Sequence, residues 1–251
     1  MTSLFPLSEE RYAKKLWHRT RNWSFLSQRP LLPIVILELP SASAAMPLAF
    51  VKQDPDRFHL VAVLGTALDQ SLAVGPKGQW RPAHYPLMLS TYPFVLVDGK
   101  EENQMVAVDE STGLVGNDTG SPFFDDSGDP TAEVKQIVDQ LNKVAVSRLA
   151  TRKAADALAA ENLFEPLEIT VNNTRLDGLY YLDEKKLRAL PPEQLKTLLE
   201  CGALTLGFAH LFSLSRFPLL EEWAKGGTEP TQLKDLDLKA LFDDKDDLIR
   251  F

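Results

Sequence analysis

The sequence is short of the residues from which most local chemistry is built. Cys201 is its only cysteine, so no intramolecular disulfide can form and no oxidising compartment is required. Its four histidines, His18, His59, His84 and His210, fall in no H-x-x-x-H or H-x-D spacing, which disfavours a metal enzyme. The glycine-rich stretch Gly113 to Gly120 lacks the Gly-Lys-Ser/Thr that would hold phosphates, and no G-x-S-x-G occurs to raise a nucleophile on an elbow. Basic residues are outnumbered, and a net charge of -8 argues against broad contact with nucleic-acid phosphates. Long apolar runs are missing too. The most apolar window, Leu31 to Leu39, is too short to cross a bilayer and contains Pro33 and Glu38. Glu9, Glu10 and Lys14 interrupt the place where an export signal needs an apolar core. These absences predict a cytoplasmic protein with no cofactor, no metal, no nucleic-acid partner and no membrane span.

What is present is enough for a sizeable core: 251 residues, of which 44% are hydrophobic. The stretch that organises them is Trp80 to Val97, where Tyr85-Pro86 and Tyr92-Pro93 punctuate an apolar run. Each proline removes a backbone donor and biases the preceding residue towards extended backbone, so no regular helix runs through the segment. Gly75-Pro76-Lys77-Gly78 before it reads as a hairpin turn, and Phe94 to Val97 after it as a strand. Further strands are expected at Arg21 to Leu26, Ile34 to Leu37, Leu48 to Lys52, Phe58 to Leu64 and Gln104 to Asp109. A short helical turn is expected at Ser41 to Ala45, and Asp54-Pro55-Asp56 reads as a hairpin turn.

Beyond the polar loop Glu110 to Asp129, Val134, Ile137, Val138, Leu141 and Val144 recur three and four apart, one apolar stripe of a helix capped by Asp129-Pro130. Unbroken to Asn162 it would run about 50 Å at ~1.5 Å per residue, so a break near Thr151 is expected. Leu167 to Val171 is expected to pair with Gly178 to Leu182 around Asn172-Asn173, Asp183 to cap a short helix, and Pro191-Pro192 to open another. Ala203 to Leu214 fits both periods, and strand is favoured at its start. The prediction is an α+β protein: a curved antiparallel or mixed β-sheet core with a long helix and several short helices packed on it. It forms a single domain over residues 1–225, followed by an acidic tail, 226–251, with apolar anchors at Leu238, Leu241, Phe242, Leu248, Ile249 and Phe251.

A set of motifs covers nearly the whole chain. It comprises P-L-S near the start, the run from Glu38 to Phe50, V-A-V-L-G at 61–65, the Trp80 region with its Y-P-F, and V-D-E-S at 108–111. G-L-Y-Y-L-D-E-x-K-L at 178–187 and G-A-L-T-L-G-F-A-H-L-F-S-L at 202–214 complete it. Together they resemble the bacterial SapC family, whose name derives from association with a surface-layer system. The resemblance implies a cytoplasmic accessory protein of the kind encoded near outer-membrane transporters and flavin-dependent halogenases, and it supplies no catalytic residue. Ala83-His84-Tyr85-Pro86 stands where the family often has a Tyr-Ile-Pro-Ala run.

Four residues are candidates for holding a ligand. Trp80, Tyr85 and Tyr92 combine aromatic faces with polar tips, which suits a peptide or ligand groove, although core packing is the favoured reading of the same rings. His210 sits in an apolar frame and reads first as a hydrogen-bonded core histidine. Asp183 invites an acid/base role, but its place before Glu184-Lys185-Lys186 is explained by capping. Asp125, Asp126 and Asp129 depart from calcium-loop spacing and read as turn chemistry. The basic run Arg11, Lys14, Lys15, Arg19, Arg21 and Arg29 reads as a solvated face, with docking of an acidic partner as the alternative. The expected function is a non-catalytic binding or accessory protein that holds a peptide segment or small ligand in an aromatic groove. The alternative is an enzyme or cofactor-handling partner with its site at His210, Asp183 and the tyrosines. Oligomerisation is expected, if anywhere, through the tail.

Overall fold

Every strand pairing among the described residues is antiparallel, so no βαβ crossover organises the chain. The structure is a computed structural model and describes residues 3–54, 57–67, 70–98 and 104–226. The first half contains β1 (Leu4–Pro6), α1 (Glu9–Tyr12), β2 (Leu16–Trp17), β3 (Leu31–Pro33), α2 (Leu39–Ala45), β4 (Leu48–Asp54) and β5 (Arg57–Val63). It continues with α3 (Leu87–Ser90), β6 (Phe94–Asp98), β7 (Gln104–Asp109), β8 (Val115–Gly116) and β9 (Ser121–Pro122). The second half holds α4 (Ala132–Ala160), β10 (Phe164–Pro166), β11 (Ile169–Val171), β12 (Thr174–Leu176), β13 (Leu179–Leu182), α5 (Glu184–Arg188), α6 (Pro192–Glu200), α7 (Ala203–Ser213) and α8 (Pro218–Ala224). The largest sheet has the order β10-β13-β4-β5-β3; β1-β7-β6, β8-β2-β9 and the hairpin β11-β12 stand beside it. The fold is α+β with open sheets, distributed over several sheets rather than one.

Among the described residues, the buried side chains form two hydrophobic cores. The larger gathers β3, β4, β5, α2, α7 and α8 around Phe50, Leu48, Met46, Leu39 and Leu206. The smaller is built from Tyr12, Trp17, Phe94, Val108 and Phe123, with Trp17 edge-on to Phe94 at 4.9 Å. Helix α4 serves both. Val134, Ile137 and Leu141 sit in the smaller core, and Ala154, Ala155 and Leu158 in the larger. The break expected near Thr151 is absent, and the reason is local. Thr151 Oγ1 donates back to the Ser147 carbonyl at 2.7 Å, satisfying its hydroxyl within the helix, and at the same time accepts the Ile36 N–H at 2.8 Å.

That contact also corrects the reading of Ile34 to Leu37 as a strand. The strand is β3 and ends at Pro33; residues 36–38 form a 3-10 turn. Its free amides are taken by side chains, Ile36 N–H by Thr151, Leu37 N–H by Ser147 Oγ at 3.1 Å and Val35 N–H by Glu38 Oε1 at 3.2 Å. Trp23 to Leu26 is likewise a turn rather than a strand. The cap of α4 is Thr131, whose Oγ1 accepts the Val134 N–H, rather than Asp129. Asn172 and Asn173 do adopt positive φ, 46° and 62°, but the hairpin they close is β11-β12, while β13 pairs with β10 and β4. The Asp54 to Asp56 turn lies partly, and the tail from 227 wholly, outside the described residues.

The start of Ala203 to Leu214 is helical, not extended. Its inner face is Ala203, Leu206, Gly207, His210 and Ser213, a helical stripe of mostly small or polar residues. A Cβ on Gly207 would lie 2.6 Å from Leu182 Cδ2, so glycine lets α7 approach β13 closely. The large residues Phe208 and Phe212 stand outside.

Candidate functional site

The hairpin turn at Gly75 to Gly78 is formed as expected: Gly75 N–H donates to the Gln79 carbonyl at 2.8 Å, Val74 bridges Trp80, and Gly78 takes a φ of 77°. It delivers Trp80 into an aromatic cluster. The Trp80 ring lies 6.4 Å from Trp23 and stacks on Tyr85 at 6.0 Å, while Tyr92 packs on Phe25 at 5.1 Å. Trp80 Nε1 donates to the His84 carbonyl at 2.8 Å, closing the bend that the prolines begin. Trp80 and Tyr92 are 8% and 5% exposed, whereas Tyr85 is 50% exposed. Burial pushes the Tyr92 phenol up from its ordinary value. Of the three hub rings proposed to line a groove, only Tyr85 reaches solvent.

Sequence reading missed the group that ties this hub to the rest of the chain. Glu38 is buried, its side chain 3% exposed, and Oε2 accepts from both His84 Nε2 and the Leu87 N–H at 2.8 Å. With the Val35 N–H on its other oxygen, one carboxylate joins the turn at 36–38, the Ala83-His84-Tyr85-Pro86 bend and the start of α3. The available signal was a single acid inside the apolar window Leu31 to Leu39. A carboxylate there needs several donors to offset its desolvation.

His210 lies elsewhere, fully buried between α7 and the main sheet. Its Nδ1–H donates to the Leu48 carbonyl at 3.1 Å, and its Nε2 accepts the Leu182 N–H at 3.3 Å. Ser213 Oγ accepts the Leu48 N–H at 3.0 Å, so α7 binds both backbone groups of Leu48. Burial pulls the His210 pKa down to about 4. Both ring nitrogens are engaged with backbone, and neither is left for substrate. Asp183 caps α5, accepting from Lys185 and Lys186 N–H groups. The structure therefore brings Trp80 and Tyr85 together, with Tyr92 in the same hub, and leaves His210 and Asp183 apart from them.

The basic segment is partly spent internally. Arg11 forks onto Glu110 with two 3.0 Å contacts, Lys15 reaches it at 2.8 Å, and Arg19 approaches Glu133 at 3.6 Å. The Arg11 hydrogen bond, with Lys15 beside it, holds the Glu110 carboxyl down to about 2. No group of three or more His, Cys, Asp or Glu side chains is placed to hold a metal ion among the described residues. No single helix there is long and apolar enough to cross a membrane.

A cleft of about 480 Å³ opens beside the hub, between residues 24–27, the segment 70–76 and α8. Ser24, Ser27 and Gln70 contribute polar walls, Trp223 and Pro76 apolar ones, and Arg81 the charge. The Arg81 guanidinium donates to the Trp223 carbonyl, which fixes it across the cleft from α8. Among the described residues, no acidic side chain lines the opening.

An open-sheet α+β chain with a polar cleft beside an aromatic hub is the class these features define. A family model described as SapC matches residues 7–220, and the chain belongs to the SapC family. No curated protein and no solved structure matches it.

Proposed function

We propose that the protein is a non-catalytic binding or accessory protein that holds a peptide segment or small ligand in the cleft beside the hub. The observation that carries this reading is the cleft's lining among the described residues: serine hydroxyls and an amide for hydrogen bonding, a tryptophan wall for apolar contact, and an arginine with no described acid opposite it. Such a mixture suits a ligand with an acidic group and an apolar part. The groove is moved from the hub rings themselves to their flank, because Trp80 and Tyr92 serve the core and Tyr85 alone is accessible. The enzyme alternative is weaker, since both ring nitrogens of His210 hold backbone, and Asp183 caps α5 with Oδ1, apart from the hub tyrosines. A cytoplasmic role in a bacterial envelope or transport-associated system is part of the proposal and rests on the family.

The test uses Ser27→Trp. Ser27 is exposed, it bonds the fold through its backbone, its N–H donating to the Ser24 carbonyl and its carbonyl accepting the Ser71 N–H, and an indole there fills the cleft. Arrayed synthetic peptides, rich and poor in Asp and Glu, are probed with the full chain and with the variant. Selective binding by the full chain that the folded variant loses is the expected result. Equal binding by both, or none by the full chain, overturns the cleft reading.

A further inference from the structure

The outer face of α7 is unlike the surface of a helix that only meets water. Its inner face is closed by small and polar residues, while Phe208 and Phe212, one turn apart, point away from the core with their rings stacked at 6.4 Å and 27°. Phe212 is 71% exposed and Phe208 36%; Leu199, near the end of the preceding helix, is 63% exposed. A scattered exposed leucine needs no explanation, but a stacked phenylalanine pair on one helical face marks an interaction surface. The stretch between Glu200 and Glu221 contains no acid, and exposed Arg216 follows Phe212 by four positions.

We infer that this face is the docking surface for the chain's own C-terminal segment, residues 227–251. The segment begins directly after α8, which follows α7 through residues 214–217. It carries Leu238, Leu241 and Phe242 three and four apart, the spacing of a single helical face. Asp235, Asp237, Asp243 and Asp244 flank those anchors, and the segment as a whole holds seven acidic residues against four basic. An apolar helix face with no acid on its own helix and exposed Arg216 just beyond its end is complementary to an apolar stripe set among carboxylates. Reach is sufficient: Leu238 lies twelve residues beyond Gly226, a tether of up to about 40 Å at ~3.3 Å per residue. Tethering also gives the segment an effective concentration of order mM, so a small contact suffices to keep it seated.

Hydrogen exchange on the full chain tests this, comparing wild type with a Phe208→Ser, Phe212→Ser double variant. In wild type the amides of 236–244 should exchange about tenfold or more slower than free peptide. The double variant should return them to the free rate while α4 and α7 stay protected. Free-rate exchange in wild type, or protection unchanged in the variant, overturns the inference. Protection that disappears on about hundredfold dilution assigns the face to a second copy and overturns it as well. A second measurement is independent of the phenylalanines. In a Cys201→Ser background, Thr205→Cys and Lys239→Cys should close an intramolecular disulfide under mild oxidation, and failure to close overturns the docking.

Discussion

Acidification is the perturbation whose effect the structure defines best, through His210. The ring is sealed between the Leu48 carbonyl and the Leu182 N–H, so the second proton would have to enter at Nε2, facing a donor. Its folded pKa is near 4, against about 6.5 for an unfolded chain. Because the folded value is the lower one, the unfolded chain takes up a proton first as pH falls. Stability is therefore full above about pH 6.5 and declines down to about pH 4, by roughly 3 kcal/mol in total at 1.36 kcal/mol per unit. Acidification acts on the whole chain, so the measurement is a difference. His210→Gln replaces the ring with a neutral amide that can keep one donor and one acceptor. Urea unfolding of both chains, followed by circular dichroism between pH 7 and pH 4.5, gives the wild-type minus variant gap. That gap should shrink by about 2 to 3 kcal/mol as pH falls. A gap independent of pH would show that His210 titrates like a free histidine and that the sealing argument is wrong. Ligand binding by the variant at pH 7 should be intact, because His210 is not among the residues that line the cleft.

Trp80→Ala should cost about 3–5 kcal/mol, since a buried indole and its hydrogen bond to His84 are both lost; an unchanged melting temperature with lost ligand binding would instead make Trp80 a binding residue. Glu38→Gln should cost about 3 kcal/mol in urea unfolding, because an amide oxygen cannot satisfy the three donors that the carboxylate holds; a loss below about 1 kcal/mol would mean the buried carboxylate is not the brace of the hub. Gly207→Ala should be destabilising by about 1–3 kcal/mol despite alanine's better helix propensity, as the new methyl meets Leu182; a gain in melting temperature would show that α7 can draw back from β13 freely.

The parts of the fold legible in the sequence are those decided within a few residues. The turn at Gly75 to Gly78, the positive φ at Asn172 and Asn173 and the Asp183 cap depend on neighbours alone. Ile34 to Leu37 misled because its amides are bound by Ser147 and Thr151, more than a hundred residues away, and β-branching carries no trace of such partners. The α7 stripe was obscured for a different reason: apolar periodicity weighs large side chains, whereas close approach of a helix to a sheet selects glycine, alanine and serine for the inside. Within the site, aromatic content marked the hub. Its accessibility and its dependence on Glu38 are tertiary facts, joined across 46 positions in sequence.

The shared helix α4 sets an order on how this chain comes off a ribosome. Every buried member of the smaller core lies between Tyr12 and Leu141, so that core has all its parts once the first half of α4 has emerged. The larger core waits for Leu206, Leu220 and Trp223. Vectorial synthesis thus lets the front of α4 dock early, leaving its rear half, with Ala154, Ala155 and Leu158, as a presented template onto which α7 later closes. A stall or truncation in the interval leaves bare the side of that template meant for α7, while β5 and the turn at 36–38 cover the side meant for them.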